Sequence, residues 1–184
     1  MTKEEFYKCW ILNYPQTPPI SYLFRHNYSH RWFRIHSLPK SKRYADTDEE
    51  WKILLTRQNE IITELLGLDT PVLLVIEYEE EIFESYSFTL LDNIDLSKFN
   101  SEEYDEINAY KLAFTETIWK PNNHNKLLRE IADDRMSAFF VSFEKNIIIA
   151  PYDGGVDFIL KDILTRDFYK DKYRQYLSAR EDGF

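Results

Sequence analysis

The run Val72-Leu-Leu-Val-Ile-Glu-Tyr78 (VLLVIEY), introduced by Pro71, decides the fold. It is apolar without a break from Val72 to Ile76, rich in β-branched residues, and of strand length. A strand with one wet face alternates apolar and polar positions, whereas an unbroken apolar run needs cover on both faces. The reading is a central strand of a sheet. Immediately upstream lies the clearest helix of the chain. Thr47 and Glu50 have capping-box spacing, and Trp51, Leu54, Leu55, Gln58, Ile61, Ile62, Leu65 and Leu66 recur at steps of three and four before Gly67 ends the run.

The remaining elements follow outward from this helix–strand unit. Thr2 and Glu5 predict a capped first helix with Phe6, Cys9, Trp10 and Leu12 on one face, ending before Pro15. Residues 15–20, PQTPPI, form a proline-stiffened turn. Ser21 to Tyr28 then reads as a short helix presenting Tyr22, Phe24 and Arg25, and Asn27 to His30 as a polar turn. Trp32 to Leu38 is a strand stopped by Pro39, and Lys40 to Tyr44 a basic loop.

Downstream, Ser85–Leu91 and Tyr110–Trp119 read as strands, with Ser101 as the cap of a short helix between them. A helix capped by Asn123 or Asn125 runs to about Asp134 with Leu127, Leu128 and Ile131 inward. Strands at 138–143 and 146–150 flank the hairpin-length step Glu144-Lys145. The turn at 151–155, PYDGG, leads to a strand at 156–160. A last helix at 165–177 is expected to turn Phe168, Tyr169, Tyr173, Tyr176 and Leu177 inward. The whole, residues 1–184, is expected to be one α+β domain: a largely antiparallel sheet with helices packed on at least one face.

Charge is distributed unevenly. Residues 1–44 hold eight basic and two acidic residues, so they carry +6, and the other 140 residues carry -15. Arg31 to Tyr44 is a basic, aromatic island. Residues 77–106 are the opposite: eleven carboxylates against Lys98 alone. A pI near 5.0 argues against nucleic acid as a partner of the whole surface. GxGxxG and GxxxxGK[ST] phosphate loops are absent. One cysteine, Cys9, forms no intramolecular disulfide, and no apolar run approaches the length of a membrane span, so a soluble cytoplasmic protein without a membrane partner is expected.

The residue chemistry offers two candidate sites. Arg34, His36, Lys40, Lys42 and Arg43 could hold an anion, Arg through a bidentate fork and Lys as a point charge. The competing reading is that these cations pair with acids of the same chain, such as Asp46, Asp48 and Glu49. The second candidate is the acidic zone, where aromatic residues stand beside charge as they do at binding hot spots. His26 and His30, four apart, are a weak pair for metal, and neither HExxH nor a cysteine pair is present; no metal or cofactor is expected. Asp133 with Asp134, and Asp153 with Asp157, are the best carboxylate pairs, read as a helix end and a tight Asp-Gly-Gly turn.

Three stretches, FRIHSLPKSKRYAD at 33–46, APYDGGVDFIL at 150–160 and LSAREDGF at 177–184, together resemble a family of small, uncharacterised bacterial proteins classed as a domain of unknown function. The likeness runs from near residue 20 to the end. It implies a bacterial, cytoplasmic protein and brings no activity to carry over. No block of the family falls within the acidic zone.

The functional expectation is a non-enzymatic protein-binding module. Acidic, aromatic-rich proteins without catalytic motifs are similar in composition to immunity proteins that neutralise basic toxin nucleases. The partner would be a basic protein, such as a toxin domain, bound through Glu79, Glu80, Glu81, Phe83, Glu84 and Tyr86. The alternative is an enzyme or ligand-binding protein. Its anion site would use Arg34, His36, Lys40, Lys42 and Arg43, with Tyr152 and Asp153 brought close in a concave pocket joining the first two blocks.

Overall fold

In the computed structural model, which describes residues 1–78, 87–95 and 109–178, chain order gives α1 (Lys3–Asn13), α2 (Phe24–Asn27), β1 (Trp32–His36), α3 (Asp48–Leu66), β2 (Thr70–Tyr78), β3 (Thr89–Leu90), β4 (Ile94–Asp95), β5 (Ala109–Trp119), α4 (Asn125–Ala132), β6 (Ser137–Ser142), β7 (Ile147–Tyr152), β8 (Gly155–Ile159) and α5 (Ile163–Lys172). The strands pair antiparallel in the order β1-β8-β7-β6-β2-β5-β3, with β4 also on β5. β2 lies between β5 and β6, the interior place that an unbroken apolar run demands.

Its side chains alternate between two cores. Val72, Leu74 and Ile76 enter a core with Leu54, Ile61, Ile62 and Leu65 of α3 and Leu128 and Ile131 of α4. Leu73 and Val75 enter a second core with Phe6 and Trp10 of α1 and with Ile20, Leu23 and Phe24. The sheet is therefore covered by helices on both faces, an α+β domain.

Local chemistry sets the element ends. Thr2 and Glu5 make a complete capping box on α1. At α3 the box is displaced: Thr47 accepts from the Glu50 N–H at 3.3 Å, but the Glu50 carboxylate reaches the Asp46 N–H at 2.8 Å. The proline turn is held by Trp10, whose Nε1 donates to Thr17 O at 2.8 Å. The second core is aromatic: Phe6 stacks on Phe114 at 4.8 Å, and Phe24 meets Phe139 edge-on at 5.0 Å.

Three expectations change, and a fourth falls outside the described residues. The segment 27–30 is not simply polar, since Tyr28 is buried and its hydroxyl accepts from the Gln16 N–H at 3.2 Å. Leu12 and Phe168 point outward rather than inward, at 81% and 62% exposure. Of the strand expected at 85–91, only Thr89–Leu90 falls among the described residues as strand. The helix capped by Ser101 lies outside them.

Glu77 links the two halves of the second layer. It continues β2 on the side of Leu73 and Val75, and its Oε1 accepts from the Ser21 N–H at 2.7 Å. Burial raises its pKa above the ordinary 4.5. A raised carboxyl pKa means that folding favours the proton; that stabilisation is present below the unfolded value and lost as pH rises through the folded one. Glu77→Gln keeps an acceptor oxygen for Ser21 and removes the charge. The variant is expected to melt higher than the wild type at pH 7, with the two converging below about pH 4, in thermal unfolding scans. Equal melting temperatures at both pH values would refute the buried-charge account.

Candidate functional site

β1 and the β7–β8 hairpin bring the two basic-and-acidic stretches together. Antiparallel register sets Arg34 opposite Asp157 and His36 opposite Gly155. Side chains two apart on a strand share a face, so Trp32, Arg34 and His36 stand in a row. Arg34 forks onto Asp157, Nε to Oδ1 at 2.7 Å and Nη2 to Oδ2 at 2.7 Å. The two side chains are 9% and 10% exposed. Trp32 Nε1 also donates to Asp157 Oδ1, at 2.9 Å, and the Arg34 guanidinium lies 4.3 Å over the Tyr152 ring.

The Asp-Gly-Gly turn exists for close approach. A Cβ on Gly155 would stand 1.9 Å from the Ile35 carbonyl oxygen, and one on Gly154 would stand 2.7 Å from the Tyr152 ring. Ser37 N–H donates to Gly154 O at 3.1 Å, extending the ladder past β1. The preceding residue, Asp153, is buried and accepts from Arg43 Nε and from the Tyr44 hydroxyl, the latter at 2.9 Å.

Each expected anion-site residue can now be placed. Arg34 is taken by Asp157 and Arg43 by Asp153. Lys42 Nζ contacts Asp46 at 2.8 Å and Glu50 at 2.5 Å. Lys40 is exposed at φ 57° and makes no ion pair among the described residues. His36 is half-buried with Nε2 unbonded; burial first, and then the Arg34 cation, lower its pKa and favour the neutral ring. Its carbonyl accepts from Arg57 Nη1 at 2.7 Å, and Arg57 lies 3.8 Å over Tyr176. Tyr152 is held protonated, its pKa raised by burial.

The arrangement brings Arg34, His36, Arg43, Tyr152 and Asp153 to one edge of the sheet, but as a clasp of internal ion pairs. An incoming anion would have to compete with Asp157 for the Arg34 fork and with Asp153 for Arg43 Nε. A groove of about 490 Å³ lies elsewhere among the described residues, lined by Thr56, Asn59, Glu60, Thr63 and Glu64 of α3 with Pro121 and Asn122, residues that sequence reasoning did not single out. Its charged lining is carboxylate. Sequence reasoning also missed Asp157 as the partner of Arg34. The usable signal was a lone acid in an otherwise apolar strand, Gly155–Ile159, whose five residues are all buried.

Of the expected partner-binding residues, Glu79, Glu80, Glu81, Phe83, Glu84 and Tyr86 lie outside the described residues. Their flanks are placed. Tyr78 pairs with Lys111, so the chain leaves β2 and re-enters β5 at one end of the same ladder. Among the described residues no three histidine, cysteine or carboxylate side chains converge as metal ligands, and no helix is long and apolar enough to cross a membrane.

A family model described as "Domain of unknown function (DUF3885)" matches residues 20–181. No curated protein and no solved structure matches the chain.

The clasp makes a stability prediction. Asp157→Leu leaves the Arg34 cation buried without its counter-charge, a change that costs about 3–5 kcal/mol. Arg34→Met combined with Asp157→Leu removes both charges and is expected to cost less than either single change. Urea unfolding of the four proteins measures the coupling; additive single effects would show that the pair does not act as a unit.

Proposed function

The chain belongs to the DUF3885 family, whose description supplies no reaction, and from its charge distribution we propose that it is a non-enzymatic protein-binding module that captures a basic protein. The observation that carries this reading is the asymmetry of charge along the sequence, +6 over residues 1–44 and -10 over residues 77–106. Three cations of the basic island, Arg34, Lys42 and Arg43, are paired internally with Asp157, Asp46, Glu50 and Asp153. Residues 77–106 keep a net charge of -10, with Lys98 as their one internal cation. Lys3 offsets Asp92, and Glu77 is turned inward to Ser21; in the sequence, Glu79, Glu80, Glu81 and Glu84 form a concentrated anionic run.

Such a run accelerates encounter with a cationic surface and selects against acidic competitors. Phe83 and Tyr86 stand among the acids, and aromatic side chains at the centre of a charged patch supply the desolvated anchors that hold a complex once formed. A toxin nuclease has the complementary chemistry, because its nucleic-acid surface must be cationic. Covering that surface would neutralise the toxin, so the role is immunity-type, carried out in the cytoplasm where the toxin would act. The rival is an enzyme or ligand-binding site on Arg34, His36, Lys40, Lys42, Arg43, Tyr152 and Asp153. It is disfavoured because its arginines are already occupied.

Reversal of Glu79, Glu80 and Glu81 to Lys tests the proposal. The wild type is expected to retain a basic protein at low and moderate salt, and the triple variant to bind it at least about tenfold more weakly, chiefly through slower association. Calorimetry and stopped-flow kinetics across a salt series read both quantities. A complex unaffected by the reversal, or failure to recover any basic partner at either salt, would overturn it.

A further inference from the structure

Arg31 is a buried cation with no anion to answer it. It opens the basic island, and only 7% of its surface is exposed. Buried charges in folded proteins are ordinarily paired, because an unpaired one forfeits its hydration. Arg34, three residues on, obeys the rule: its Nε and Nη2 edge grips Asp157. Arg31 finds only neutral acceptors. Nη1 donates to Asn146 Oδ1 at 3.1 Å and to Leu160 O at 3.2 Å. On the edge that Arg34 uses for its carboxylate, Arg31 has one long contact, Nη2 to Asn13 O at 3.4 Å, and Nε makes no hydrogen bond among the described residues. No carboxylate among the described residues pairs with it. The guanidinium lies 4.6 Å over the Tyr28 ring and 5.2 Å over the Tyr14 ring, which soften its charge without cancelling it.

A second group beside it is also unspent. Tyr14, which caps the end of α1, is 0% exposed, and its hydroxyl has no hydrogen-bond partner among the described residues. Burial pushes its pKa up against the pull of the Arg31 cation, so the proton stays on the oxygen and is there to donate. A buried polar group left without a protein partner marks the place of a water or an ion. Here the unspent groups are donors, N–H and O–H, next to one uncompensated positive charge. We propose that Arg31 and Tyr14 hold a small monovalent anion of the chloride class inside the second core. A water could accept both bonds but would leave the charge unanswered, and a divalent anion would exchange one buried excess charge for another. Both side chains are more than nine-tenths buried, so the occupant is one small enough to be enclosed. The acidic zone is not placed to serve instead. β2 runs toward it at the opposite end of the sheet: Glu77 pairs with Ser137, the first residue of β6, whereas Asn146 follows its last, Ser142. The bound anion would complete a joint between the end of α1, the start of β1, the turn at Asn146 and Leu160 after β8. The inference does not depend on the basic partner, since none of these residues lies in the acidic zone.

Thermal unfolding of the full chain at constant ionic strength, with chloride replacing gluconate from about 1 to about 300 mM, tests it. The melting temperature is expected to rise with chloride and then level off, since an anion bound only to the folded state stabilises it by mass action. Tyr14→Phe keeps the ring and removes the donor, and its apparent chloride affinity should fall about tenfold. Arg31→Met should lose the chloride-dependent rise altogether; where that variant does not fold, Tyr14→Phe decides. Bromide in place of chloride in crystals of the wild type should give an anomalous diffraction peak within hydrogen-bond reach of Arg31 Nε and Tyr14 Oη. Equal melting in chloride and gluconate, an undiminished chloride response in Tyr14→Phe, no bromide peak at these atoms, or a peak there without the solution effect (an adventitious ion only) would each overturn the inference.

Discussion

An unbroken apolar strand has no stable place on a surface. Val72 to Ile76 must be covered twice, and that constraint organises the domain. Fully burying five such side chains is worth roughly 8–15 kcal/mol gross at the usual 1.5–3 per side chain. That is comparable to the whole net stability of a domain, about 5–15 kcal/mol. Leaving either face of β2 wet would forfeit a large part of it. The two helical layers are therefore requirements of the strand. α3 and α4 close one side, and α1 with the 20–28 segment closes the other. Antiparallel neighbours β5 and β6 then satisfy the backbone, and the rest of the sheet grows outward from them to β1.

At that far edge a different force takes over. β1 and β8 are joined by ladder bonds and by a buried arginine–aspartate fork in which Asp157 serves two donors, Arg34 and Trp32. A buried ion pair contributes less to net stability than its Coulomb attraction suggests, because both ions must be desolvated. Its stronger effect here is on register. A slip of β1 by one residue would set Phe33 or Ile35 opposite Asp157 and turn Arg34 into the apolar core on the other face. The clasp specifies one pairing out of several that the apolar pattern alone would permit.

Legibility in the sequence followed the range of the interactions. Periodicity and caps are local, so α1, α3, β2 and the 138–150 hairpin could be read from neighbouring residues. The α+β class followed from their order. The Arg34–Asp157 pairing joins residues 123 apart and has no local trace beyond one acid in an apolar strand. The basic island was legible as charge, but not as spent charge, because Asp153 and Asp157 reach it only through the β7–β8 turn. α5 was misread for a further reason. Its aromatic residues fit a helical face, and the usual rule sends such a face inward; Tyr169, Tyr173, Tyr176 and Leu177 do pack on the core, while Phe168 stays out. Periodicity identifies a stripe but not what covers it.

The placement of the resembling blocks bears on how function is to be sought in this family. The stretches at 33–46 and 150–160 meet at the clasp. Ile35 O against Gly155, Arg34 on Asp157 and Arg43 on Asp153 tie one to the other. Each of those residue types is demanded by the join: glycine for the missing Cβ, arginine for the bidentate fork, aspartate for the turn and the counter-charge. A stretch can therefore be distinctive because it closes the sheet, without touching any ligand. The outward apolar face of α5 obeys no such closure. Nothing in the fold requires Leu164 and Phe168 to be apolar where they stand, and there the chain's own packing has stopped deciding the residue type.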